Sequence, residues 1–162
     1  MSVQPGRLSL DPSPAAFDAA ARTQIYEYIF EKGRIPSLPE LAGALSQPEA
    51  DTGASLKRLA EAHMLVLAPD SDEIVLANPF SAVASPFAVT VDGRQFYAAC
   101  IWDALGIPAM LGHDGVINTS CGCCGLPMQV TISGGTAAAS APEALAHFAL
   151  PAARWWNDII TT

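Results

Sequence analysis

Positive charge is scarce in this sequence. Its 162 residues include eight lysines and arginines against sixteen aspartates and glutamates, which gives a formal net charge of −8. The basic residues form no cluster, and this argues against nucleic acid or another polyanion as the main partner. No apolar run approaches the length needed to cross a bilayer, and the first residues lack the charged-then-apolar layout of a secretory signal. We therefore expect a cytoplasmic protein with neither a nucleic-acid nor a membrane partner.

Several catalytic patterns are missing as well. The sequence contains no glycine-rich phosphate loop, no hydrolase-like pair of carboxylates and no recognisable Ser-His-Asp order. Cysteine is limited to four residues, three of which lie in the run Cys121–Cys124. In the cytoplasm such cysteines indicate free thiols or metal ligands rather than a disulfide framework. Hydrophobic residues make up 51% of the chain, enough for the core of one ordinary domain or two small ones.

The first half of the chain predicts three helices and a hairpin, after a lead-in of twelve residues. One helix begins at Ser13 and ends at Gly33, a second begins at Ser37, and a third runs from near Gln47 to about His63. Two short β-prone runs follow, at residues 64–67 and 73–76, with a turn between them. This order is that of a winged helix, and we assign it to residues 1–80.

The third helix of a winged helix often reads the major groove of DNA. Here it offers Lys57 and Arg58 against three acidic residues, Glu49, Asp51 and Glu61. That is too little positive charge for the phosphate contacts that dominate affinity for DNA. The sequence favours a helical scaffold over a DNA-binding module.

Residues 81–162 predict a small second part. Strands are expected at residues 87–91, 116–119 and 128–132, and residues 97–111 between the first two are expected to form an apolar helix. Trp102 and the pair Trp155–Trp156 are expected to be core aromatics. The fold class is therefore α+β: a winged-helix-like three-helix part with a hairpin, then a small mixed β-sheet core packed with the helix that carries Cys100.

Cys100 and Asp103 interrupt that apolar helix. Residues three apart share a helix face, so the thiol and the carboxyl should point at the same space. A single cysteine on an apolar face is usually a small core residue. Beside a carboxyl, however, it can bind a soft metal while the acid takes its proton. The cost of placing an acid among apolar neighbours favours the second interpretation, and the residues alone leave both open.

The run Cys121-Gly122-Cys123-Cys124 is a second candidate for soft ligands. A tetrahedral zinc site usually takes two separated ligand pairs, and the sequence offers this cluster, Cys100 and, as a fourth ligand, His113. The alternative is a tight turn whose thiols only pack, and the pattern leaves both open. His63 and His147 have no partner that the sequence identifies, so both are expected to be structural or solvent-facing.

A family resemblance rests on these same residues. Residues 93–112, with the core Tyr-Ala-x-Cys-x-x-Asp-x-Leu, look like the catalytic helix of the bacterial organomercurial (alkylmercury) lyases. Residues 120–132 resemble the strand-turn-strand that follows it there, and Lys32–Pro36 with the helix-hairpin order resembles the family's winged-helix-like lead domain. The resemblance covers roughly residues 20–160. It implies protonolysis of a carbon–mercury bond, giving a hydrocarbon and Hg(II), in mercury detoxification.

The resemblance also implies roles for individual residues. Cys100 is the mercury-binding nucleophile, Asp103 is the proton shuttle, and Cys121 matches a cysteine that is structural in the family. The substrate is a small organomercurial and no cofactor is implied, because mercury is both substrate and product. Cellular thiols or a mercuric reductase would then accept the Hg(II).

One family feature has no counterpart in this sequence. The family uses a second catalytic cysteine, which would fall at or just past Thr161–Thr162, and no cysteine follows Cys124. Three interpretations remain: the sequence is a fragment, or Cys123 or Cys124 substitutes and binds the metal together with Cys100, or the protein binds mercury without cleaving it. The alternative functions are therefore a non-catalytic soft-metal-binding protein and a metal-responsive winged-helix regulator.

Overall fold

A computed structural model describes residues 13–157 and residue 159. The expected lead-in at residues 1–12 and the expected position of the second cysteine at Thr161–Thr162 lie outside these residues. Three helices come first, then a small sheet, then a larger sheet with one helix packed on it. The predicted α+β class is confirmed.

The three N-terminal helices are α1 (Pro14–Lys32), α2 (Leu38–Leu45) and α3 (Glu49–Glu61). At the start of α1 the Ser13 hydroxyl accepts the Ala16 N–H at 3.3 Å, and at its end Gly33 adopts the left-handed conformation. A capping box between Ser37 and Glu40 opens α2. These helix ends are where the sequence predicts them, because each depends on local capping chemistry.

The first sheet is antiparallel and has the order β1-β2-β3. Its strands are β1 (Val66–Leu67), β2 (Ile74–Ala77) and β3 (Phe80–Ser81). The predicted hairpin is therefore present. A further strand, β3, lies where the sequence suggests only a connector, because Phe80 is buried and continues the pairing with β2.

The second sheet has five antiparallel strands in the order β5-β4-β6-β7-β8. They are β4 (Ala88–Val91), β5 (Arg94–Tyr97), β6 (Gly115–Ser120), β7 (Pro127–Ser133) and β8 (Thr136–Ala139). The prediction that residue 97 is already helical is wrong. Asp92 and Gly93, both with positive φ, form a two-residue hairpin that returns the chain as β5.

The fourth helix, α4 (Ile101–Leu111), packs against β4 and β6. Ala104 and Ile107 are fully buried on its inner side. Gly115 allows this close packing, since a Cβ atom there would lie 2.8 Å from Pro108 Cγ. The second sheet therefore fixes the position of the helix that follows Cys100.

One hydrophobic cluster includes residues from the helices and from both sheets. Within this cluster, the ring of Phe80 on β3 contacts the rings of Tyr26 and Phe30 on α1 and of Phe96 on β5. Trp102 is not a core residue, contrary to the prediction, because 64% of its surface is exposed. In the described part of the chain no helix is long and apolar enough to cross a membrane.

Candidate functional site

Cys100 immediately precedes α4, as its N-cap residue. Its backbone is extended, with φ −145° and ψ 178°, and its carbonyl oxygen accepts the Ala104 N–H at 2.9 Å. Asp103 lies three residues on, in the first turn. Cys100 Sγ is 3.4 Å from Asp103 Oδ2, so the predicted meeting of thiol and carboxyl is confirmed. It arises from a helix start, however, and not from two residues inside a helix.

Both side chains of this pair are half-buried, and burial sets their acid–base behaviour. Burial raises the pKa of the Cys100 thiol, and the Asp103 charge raises it further, while the Asp103 and Trp102 N–H groups act in the opposite direction. Burial also raises the pKa of Asp103, and the hydrogen bond from Cys100 partly offsets this. Each group therefore holds its proton to a higher pH than it would in water.

The chain just before Cys100 is held by three hydrogen bonds. The Ser85 hydroxyl donates to the Ala98 carbonyl at 2.6 Å and accepts the Phe87 N–H at 3.1 Å. The Ala98 N–H in turn donates to the Phe87 carbonyl at 3.1 Å. Ser85 therefore fixes the approach of the backbone to the N-cap. The sequence gives little sign of this role, since Ser85-Pro86 reads only as a connector.

Cys100 and Asp103 open into a cavity of about 560 Å³. One wall comes from the first sheet and the segment after it, between Val75 and Phe87, and another from the start of α4. A third wall consists of residues from the segment 147–159, including His147 and Trp155. This volume is within the range of small-molecule sites, and the lining is largely apolar.

Aromatic contacts fix the third wall at both of its ends. Phe148 lies between Trp102 and Trp155, with ring centroids 6.5 and 5.5 Å away. Trp156 stacks on His63, with centroids 4.3 Å apart and planes at 8°. His63 therefore has an aromatic partner that the sequence does not identify. The density of aromatic residues near the chain end is the one sequence signal that could have indicated this wall.

The cysteine run forms the predicted tight turn between β6 and β7. The Cys121 N–H donates to the Leu126 carbonyl and the Gly125 N–H donates to the Cys121 carbonyl, both at 2.8 Å. Cys123 and Cys124 are exposed, and none of these cysteines lines the cavity. Hydrogen bonds from the Cys123 and Cys124 N–H groups lower the pKa of Cys121.

The four cysteines and His113 do not form the predicted zinc arrangement. Among residues 13–157 and 159, no group of three or more His, Cys, Asp or Glu side chains is placed to hold a metal ion. His113 instead lies beside Asp92, with Nδ1 3.0 Å from Oδ2. The structure brings Cys100 together with Asp103 but does not gather it with Cys123 and Cys124.

Comparisons with known proteins point to one family. Residues 80–162, just over half of the chain, match the family model described as MerB, alkylmercury lyase. Alkylmercury lyases from Bacillus cereus and Clostridium butyricum are each 29% identical over 100 residues, which is 62% of this chain and 44% of each relative. The chain thus spans less than half the length of these curated relatives.

A solved structure gives a likeness in fold. It is described as the crystal structure of the mercury-bound form of MerB2, and it matches with a TM-score of 0.63 at 24% sequence identity. The match covers 84% of this chain and 64% of that one. It therefore includes more of the helical first part than the family model does.

Proposed function

The chain belongs to the alkylmercury lyase family, and from this premise we propose that it cleaves carbon–mercury bonds by protonolysis at Cys100 and Asp103. The single observation that carries the proposal is the 3.4 Å contact between Cys100 Sγ and Asp103 Oδ2 at the wall of an apolar cavity. A thiolate is the kind of ligand that a soft metal prefers. The carboxyl beside it can move the proton that the chemistry requires.

The first step is capture of the substrate. An organomercurial enters as R–Hg–X, where X is a thiolate from solution. Cys100 Sγ forms a bond to mercury, the Hg–X bond breaks, and the thiol proton passes to Asp103 Oδ2. The raised pKa of Asp103 favours this transfer, because the carboxyl holds a proton more readily than an exposed aspartate does.

The second step is cleavage. Asp103 returns the proton to the carbon bound to mercury, the C–Hg bond breaks, and RH leaves. Mercury remains Hg(II), bound to Cys100 and balanced by the Asp103 carboxylate. External thiols then release the Hg(II) from Cys100. The proposed acceptor is a cellular thiol or a mercuric reductase, and the proposed biological role is mercury detoxification.

The cavity supports an organic group of some size on the substrate. Its volume of about 560 Å³ exceeds what a methyl group needs, and Phe87, Phe148 and Trp155 supply apolar surface. Apolar burial of R also excludes water from the carbon that takes the proton. We therefore propose that aryl as well as alkyl mercury compounds are accepted.

The test is to incubate the chain with phenylmercury and excess thiol and to measure benzene by gas chromatography. Cys100→Ser and Asp103→Ala should each abolish benzene release, while Asp70→Asn, a change at an exposed turn carboxylate, should leave it intact. Circular dichroism on each variant checks that it is folded. Retention of turnover by either site variant would overturn the assigned roles.

The second candidate is a protein that binds mercury or another soft metal without turnover, using Cys100 with Cys123 or Cys124. The exposed thiols of Cys123 and Cys124 favour binding of a soft metal, although the structure does not bring either of them to Cys100. The same assay separates the two functions, because mercury retained on the protein with no benzene would support binding alone.

A DNA-binding regulator finds less support, since Lys57 and Arg58 form ion pairs with Asp72 and Asp18.

A further inference from the structure

The turn between β6 and β7 contains three thiols that the proposed reaction does not use. Cys121, Cys123 and Cys124 fall within four consecutive residues. Two backbone hydrogen bonds of 2.8 Å close the turn, from Cys121 to Leu126 and from Gly125 to Cys121. The thiols are therefore displayed on a fixed loop, and two of them are exposed to solvent.

Within the turn, the Cys121 sulfur lies near the backbone N–H groups and the thiols of both Cys123 and Cys124, and these groups lower its pKa. Cys121 and Cys124 also have the Cys-x-x-Cys spacing, which is typical of thiolate ligand pairs in metal sites. Soft d¹⁰ cations such as Hg(II) are satisfied by two thiolates, so this pair is sufficient to hold one.

The register of the second sheet places this turn at the same end as Cys100. Ala88 of β4 pairs with Tyr97 of β5 on one side and with Asn118 of β6 on the other. Cys100 lies three residues beyond Tyr97, and Cys121 lies three residues beyond Asn118. Since β5 and β6 are both antiparallel to β4, both segments leave the same sheet end, with strands roughly 10 Å apart.

We propose that Cys121 and Cys124 form a second, surface site that takes Hg(II) from Cys100 as a two-coordinate dithiolate. The transfer rests on the proposed function, whereas binding of a soft cation by the turn does not. In the exchange two Hg–S bonds to the turn form, and the bonds from mercury to Cys100 and to an external thiolate break. The two protons that leave the turn thiols pass to those two sulfurs, and mercury stays Hg(II).

The binding arm of the test uses HgCl₂ with the reduced full chain and a tenfold excess of a monothiol. Native mass spectrometry should find two mercury ions on the unaltered chain and one on the Cys121→Ser/Cys124→Ser double variant. Cys123→Ser is the matched control and should retain two, and Cys100→Ser should retain one. If the double variant still binds two mercury ions, the proposed site does not exist.

The transfer arm uses one equivalent of phenylmercury, followed by alkylation with iodoacetamide and peptide mapping. After benzene has formed, Cys121 and Cys124 should be protected from alkylation and Cys100 should be reactive. Benzene formation with Cys100 alone protected would overturn the transfer and leave the proposed lyase function intact. If no benzene forms, the lyase function fails, while the HgCl₂ arm still decides whether the turn binds mercury.

Discussion

Cys100 and Asp103 occupy the N-cap and N3 positions of α4, with Sγ 3.4 Å from Oδ2. These are the two positions of a capping box, in which a Ser or Thr and a Glu or Gln stabilise the start of a helix. Here they hold a thiol and a shorter acid, and the Cys100 side chain makes no capping hydrogen bond. The start of α4 therefore lacks the stabilising hydrogen bond of an N-cap side chain, and it places a thiol and a carboxyl together at the cavity wall.

The first prediction follows from this exchange. Cys100→Ser should abolish benzene release from phenylmercury and yet raise stability, by about 0.5–1 kcal/mol, because serine is a preferred N-cap. Urea denaturation measures the stability and gas chromatography measures the benzene. A variant that loses both activity and stability would show that the thiol is a packing residue.

The second prediction concerns the pH dependence of the Cys100 thiol. The Asp103 charge contributes to the raised pKa of Cys100, so Asp103→Asn should lower this pKa. The thiolate would then form at lower pH, and the alkylation rate of Cys100 should rise at a lower pH than in the unaltered chain. Iodoacetamide labelling with peptide mapping from pH 6 to 10 measures the shift. An unchanged profile would contradict electrostatic coupling between the two groups.

The sequence predicts a structural feature well when residues close to it along the chain determine that feature. The caps at Ser13, Gly33 and Ser37 are local and are correctly predicted. Strand β5 is not predicted, because Arg94–Tyr97 has a single buried residue and becomes a strand only through pairing with β4. Strand β3 is not predicted either, because it forms by pairing with β2.

The candidate site divides in the same way. The three-residue spacing of Cys100 and Asp103 predicts their contact, whether the pair lies within a helix or at its start. The wall formed by residues between 147 and 157 and by residue 159 depends on contacts such as that of Trp156 with His63, across more than ninety positions of the chain. Hydrophobicity alone also misplaces Trp102, which projects from α4 and meets Phe148 instead of the core.

The third prediction concerns how closely α4 packs on the sheet. A methyl group in Gly115→Ala would lie 2.8 Å from Pro108 Cγ and 3.1 Å from Val91 Cγ2, so α4 must move. We expect a loss of about 1–3 kcal/mol in the free energy of unfolding. Gly43→Ala is the control, because the space is open there and alanine should stabilise α2 by about 0.5–1 kcal/mol. Equal effects of the two substitutions would contradict the packing argument.

The fourth prediction concerns an ion pair that joins α1 to α3. The Asp18 carboxylate accepts hydrogen bonds from Arg58 and from the buried Ser55 hydroxyl, at 2.6 Å in each case. Asp18→Ala leaves that hydroxyl without its partner, and we expect a loss of about 1–3 kcal/mol at pH 7.

The pH dependence of this loss has a definite sign. The Arg58 guanidinium lowers the pKa of Asp18 below its ordinary value of 3.8, so the folded state favours the charged carboxylate. The contribution is fully present above that ordinary value and disappears as pH falls through the lowered pKa. Urea denaturation of the unaltered protein and of Asp18→Ala between pH 2 and 7 measures the free energy of unfolding of each. The difference between the two free energies should become smaller only at the acid end of this range. A difference that grows toward low pH would contradict the assignment.

The last prediction concerns the aromatic wall of the cavity. Trp155 lines the cavity and contacts Phe148, and its indole N–H donates to the Leu150 carbonyl at 2.9 Å. If this wall holds the organic group, Trp155→Ala should raise KM for phenylmercury about 2–10-fold, because an aromatic pair contributes about 0.5–1.5 kcal/mol. Methylmercury has no aromatic ring that could contact Trp155, so the KM for methylmercury should change less.

Trp155→Phe is the matched variant, since it keeps a six-membered aromatic ring against Phe148 and removes the pyrrole part of the indole together with its N–H. It should retain most of the preference for the phenyl compound. Comparing kcat and KM for both substrates separates a binding role from a structural one, because a distorted wall would lower kcat for both equally. An equal rise in KM for methyl and phenyl substrates would mean that the wall encloses the site without recognising the organic group.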